Sequence, residues 1–142
     1  MKTRIVVDSA ASLYALDGVD FACVPLKVIT DDAEYIVVAF GSIARISLKA
    51  IEDLREQGVK IGLIRPITLW PFPSQEIERL ASKAKGILVV EINAGQMIED
   101  VRLACHDSIP VCHFGRLGGI VPSPQEIIDA FFNQFPQANK PS

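Results

Sequence analysis

Apolar residues in this chain fall into two patterns: short continuous runs, and longer stretches in which they recur every three or four positions. Tyr35 to Phe40 and Ile87 to Glu91 are runs without alternation, as expected of strands covered on both faces in a parallel sheet. Lys60 to Ile64 is a third run, and Arg65-Pro66 stops it. Pro66 has no amide to give a ladder and biases Arg65 towards extended geometry. Arg4 to Asp8, Phe21 to Ile29 and Val111 to Phe114 complete about six predicted strands, and Pro25 either places the second of these at a sheet edge or splits it.

Helical periodicity fills the intervals. A short segment from Ala10 to Leu16 stops at Asp17-Gly18. After Gly41-Ser42, residues Ile43, Ile46, Ala50, Ile51 and Leu54 share one face, and Arg45, Lys49, Glu52, Asp53 and Glu56 take the other. Ser42 is the expected N-cap and Gly58 the C-cap. A second helix is predicted from about Ser74 to Lys85, with Glu76 in its first turn and Lys83 and Lys85 complementing the dipole at its end. Gly86 should close it. A third helix runs from about Gln96 to Cys105. Ser123-Pro124-Gln125-Glu126 is a capping box with proline at the first helical position, opening a helix that buries Ile127, Ile128, Phe131 and Phe135. Pro136 should end that helix and Gln137 to Ser142 should fray. This alternation predicts one α/β domain over residues 1–142, a three-layer α/β/α, Rossmann-like unit with a mostly parallel sheet.

Composition narrows the function classes. A 142-residue chain with 49% hydrophobic content can bury a sizeable core. A net charge of −3 without a dense Lys/Arg cluster lacks the electrostatic footprint of a nucleic-acid binder. Asp8 interrupts the first apolar run, and no apolar stretch has the length of a membrane span, so no membrane association is expected. Cys23, Cys105 and Cys112 leave an odd thiol under any pairing, which fits a reducing, cytoplasmic setting.

Few residues carry candidate chemistry. Gly41, Ser42 and Arg45, after one strand and at the start of a helix, form a candidate anion site with Asn93, Gly95 and Gln96, which lie at the same end of the sheet. Helix capping and loop closure account for the same residues. Cys105-His106 and Cys112-His113 are ligand-type pairs, but adjacent strand residues point to opposite faces, and no metal site is expected. Asp8-Ser9 has no histidine near it in sequence and reads as a turn. Trp70 and Phe72, between prolines on a stiff loop, either anchor a partner or cover a sheet edge. Arg116 and Leu117, before Gly118-Gly119, form a second candidate interface loop.

Four motifs share one further property. Ala39-Phe40-Gly41-Ser42-Ile43-Ala44-Arg45, Gly62 to Pro73, Glu91-Ile92-Asn93-Ala94-Gly95-Gln96-Met97 and Phe114 to Gly119 resemble, in order, the alpha subunit of 2-oxoacid:ferredoxin oxidoreductases of the branched-chain and 2-oxoglutarate types. Over residues 32–135 the resemblance implies a transketolase C-terminal-like domain that helps build an assembly with beta and gamma subunits and does not hold thiamine diphosphate by itself. Val7-Asp8-Ser9-Ala10-Ala11-Ser12-Leu13 and Val24 to Ile29 are instead similar to the opening of DegV-type fatty-acid-binding proteins. The main expectation is therefore a chimera, with a DegV-like βαβ segment over 1–31 joined to an oxidoreductase-like remainder and a tail over 136–142.

Such a chain would be a stand-alone, non-catalytic domain with no cofactor and no obligatory partner. The Gly-Asp-Gly motif of thiamine enzymes is missing from the sequence, and three cysteines cannot supply four thiolates to an iron-sulfur cluster. Two alternatives stand beside it. One is a fragment of an oxidoreductase alpha subunit that acts only with thiamine diphosphate- and iron-sulfur-bearing partners. The other is a small-ligand or fatty-acid binder.

Overall fold

A computed structural model describes residues 27–28, 32–67, 69–70 and 72–139. The elements in order are β1 (Lys27–Val28), β2 (Tyr35–Ala39), α1 (Ile43–Glu56), β3 (Ile61–Ile64), α2 (Ser74–Ala81), β4 (Gly86–Glu91), α3 (Met97–Cys105), β5 (Val111–Gly115), α4 (Pro124–Gln134) and a 3-10 turn at Pro136–Asn139. The five strands form one sheet in the order β1-β3-β2-β4-β5. Four of them are parallel, and β1 pairs antiparallel with β3 at the edge. Six strands were expected and five are described. The expected strand Arg4–Asp8, the helix Ala10–Leu16, the Asp8-Ser9 pair, Cys23 and all but two residues of Phe21–Ile29 lie outside the described residues.

The sheet is sealed on both faces because its central strands alternate between two apolar layers. Val37, Ala39, Leu63, Leu88 and Val90 face α1 and α4, whereas Ile36, Val38, Ile87 and Val89 face α2 and α3. Every residue of β2, β3 and β4 is buried. The runs without alternation therefore mark the strands enclosed by helices on both sides. On the first face Tyr35 meets the ring of Phe131 edge-on at 5.4 Å and that of Phe135 at 5.3 Å, tying the last helix to the start of β2.

Several local expectations are corrected. Ser42 precedes α1 in helical geometry, and its side chain makes no cap bond. α2 ends at Ala81, short of Lys85. The amides of Lys83 and Ala84 reach back three residues to Leu80 and Ala81, tightening the last turn, and the Lys85 amide goes to Glu34. The Lys85 ammonium likewise pairs with Glu34 across the bottom of the sheet and does not serve the α2 dipole. Gly86 opens β4; a Cβ there would lie 2.9 Å from Cζ of Phe135. The segment after Pro136 makes a 3-10 turn through Asn139 where fraying was expected from Gln137. Other signals hold: the Ser123 capping box forms in both directions with Pro124 in the first turn. At the end of α1, Gly58 adopts φ +87°. Its amide bonds to Arg55, and that of Val59 to Leu54, closing the helix as a Schellman motif.

Candidate functional site

In an open parallel sheet the natural ligand crevice lies beyond the strand C-termini, where neighbouring strands send their loops to opposite faces. Here that point falls between β2 and β4. The loop leaving β2 leads to α1 on one face, the loop leaving β4 leads to α3 on the other, and Ala39 pairs with Val90 just below them. Gly41 and Ser42, after β2, and Asn93, Gly95 and Gln96, after β4, thus follow neighbouring parallel strands at the same end of the sheet.

The two sides of the crevice differ. The Glu91 side chain is fully buried and turns into the start of α3, where its carboxylate accepts the amides of Met97 at 2.7 Å, Ile98 at 3.2 Å and Gln96 at 3.3 Å. Asn93 Oδ1 accepts the amides of Gly95 at 2.8 Å and Gln96 at 3.2 Å. The amides that an external anion would use at α3 are already bound, and the dipole is met by the chain's own negative charge. On the α1 side Gly41 has φ +61° and Ser42 and Arg45 are exposed. Of the six candidate residues, those on the α3 side are thus tied up in internal hydrogen bonds, while Ser42 and Arg45 on the α1 side face solvent.

His113 completes the packing around Glu91. On β5, next to β4, its Nε2 is buried without a hydrogen-bond partner, 3.7 Å from Glu91 Oε2. The ring fits beside Gly115 because that residue lacks a side chain: a Cβ there would lie 2.8 Å from Nε2. Neither Glu91 nor His113 was singled out from sequence for these roles. The one readable signal was an acidic residue closing an apolar strand shortly before a helix start.

His113 also borders an open cleft of about 350 Å3 between β5 and α4, lined by Arg116, Glu126, Asp129 and Asn133 among others. Arg116 pairs with Glu126, which closes the capping box of α4 through the Ser123 amide at 2.8 Å. That backbone bond, then Arg116, holds the Glu126 carboxyl below its ordinary value. Cys112 and Phe114 pack towards α1 and α4, opposite His113, so the Cys-His pair on β5 does not converge. Burial pushes the thiols of Cys105 and Cys112 up, with Asp107 adding to the effect at Cys105, so both are protonated at neutral pH and neither is an activated nucleophile.

The interface candidates divide. Trp70 is 80% exposed and Leu117 66% exposed. Phe72 is half-buried against the layer containing α2 and α3, so it takes the covering role, and Arg116 is engaged by Glu126. Among the described residues no helix is long and apolar enough to cross a membrane.

Residues 33–127 match the family model of pyruvate:ferredoxin oxidoreductase core domain II. The chain is 40% identical over 105 residues to ketoisovalerate oxidoreductase subunit VorB of Methanothermobacter thermautotrophicus, covering 72% of this chain and 29% of that protein. It is 36% identical over 100 residues to 2-oxoglutarate synthase subunit KorA of Methanothermobacter marburgensis, covering 70% and 27% respectively. The chain thus spans less than a third of these relatives.

Among solved structures, a 2-oxoglutarate:ferredoxin oxidoreductase from Magnetococcus marinus superposes with a TM-score of 0.66 at 23% identity, over 75% of this chain and 18% of that one. A split-gene transketolase, an inactive beta4 tetramer, superposes with a TM-score of 0.65 at 16% identity, over 77% of this chain and 40% of that one. Both share the three-layer fold. The family match begins at residue 33 and does not bear on the DegV-like opening. It favours the oxidoreductase-subunit alternative over the stand-alone chimera. By the match across residues 33–127, this chain belongs to the pyruvate:ferredoxin oxidoreductase core domain II family.

Proposed function

We propose that this chain serves as the transketolase C-terminal-like domain of a 2-oxoacid:ferredoxin oxidoreductase alpha subunit. On this reading it does no chemistry by itself and works with beta and gamma subunits that carry thiamine diphosphate and iron-sulfur clusters. The observation that carries the proposal is the continuous family match over residues 33–127, together with relatives named as a ketoisovalerate oxidoreductase subunit and a 2-oxoglutarate synthase subunit.

The local geometry supports a non-catalytic role. A diphosphate does not fit the α3 side of the crevice, because the Glu91 carboxylate holds the amides it would need. What the domain contributes is shape: a mostly parallel sheet with helices packed on both faces and loops at the C-terminal ends of its strands. The test is native mass spectrometry of the chain mixed with the beta and gamma subunits of a ketoisovalerate oxidoreductase. A stoichiometric complex is expected. A chain that stays monomeric at micromolar concentrations in that mixture would overturn the proposal.

A further inference from the structure

We draw no further inference here: the strongest candidate, the outer edge of β5 (Val111–Gly115) beside the open cleft towards α4, carries none, because β5 is paired only with β4 among the described residues and nothing in the structure shows what covers its other side.

Discussion

Glu91 accepts the amide of Met97 at 2.7 Å, so the residue that ends β4 also caps the helix beginning six positions later. Strand and helix are locked at the corner where this fold ordinarily opens a ligand crevice.

Removing that lock should be costly. Glu91→Ala leaves the buried amides of Met97 and Ile98 without their acceptor, while the Gln96 amide keeps Asn93 Oδ1, and opens a cavity, for an expected loss of about 3 kcal/mol. Glu91→Gln keeps one acceptor oxygen and should lose less. Urea unfolding measures both. A loss under about 0.5 kcal/mol for Glu91→Ala, the range of ordinary surface changes, would contradict the role given to this carboxylate.

Gly86→Ala should destabilise by about 1–3 kcal/mol through overpacking, because the added methyl would meet the Phe135 ring. Phe135→Leu in the same chain should recover part of that loss. If the two changes proved additive in thermal unfolding, the contact would not be the cause.

Ser47 is completely buried on α1, and its hydroxyl has no hydrogen-bond partner. Ser47→Ala removes an unpaired polar atom from an apolar layer and raises helix propensity, so it should stabilise by about 1 kcal/mol. A fall in the melting midpoint would show that the hydroxyl has a partner in solution.

The Glu126 capping box predicts an acid limb. The folded carboxyl titrates below its ordinary 4.5, so its contribution to α4 is fully present above that value and is lost as pH falls through the lowered folded value. The Ser123 amide proton should therefore shift and lose exchange protection on acidification in NMR. In Glu126→Gln that response should be absent, and its persistence would assign it to another group.

The two levels of structure were legible to different degrees. The apolar runs Tyr35 to Phe40, Lys60 to Ile64 and Ile87 to Glu91 mark the three strands buried on both faces, Tyr35–Ala39, Ile61–Ile64 and Gly86–Glu91, because periodicity records which side chains a segment must hide. Ser123-Pro124-Gln125-Glu126 formed its cap because its partners lie within three residues. Ser42 did not, although its residue type is right, since an N-cap needs a backbone bend that its helical φ and ψ do not supply. The pairing of Lys85 with Glu34 spans 51 positions and left no trace in the local pattern around α2.

By itself the sequence determined the layers of this protein, the order of its elements from Tyr35 onward and the chemistry available at each loop. Tertiary structure alone decided what those loops do. It filled the α3 amides with Glu91, set the His113 ring against Gly115, packed Phe72 half-buried against the α2/α3 layer and left Trp70 in solvent. The physical reason is range. Local patterning reports the burial a segment requires, whereas the partner of a buried carboxylate or an exposed ring depends on which distant backbone the fold brings within a few ångströms.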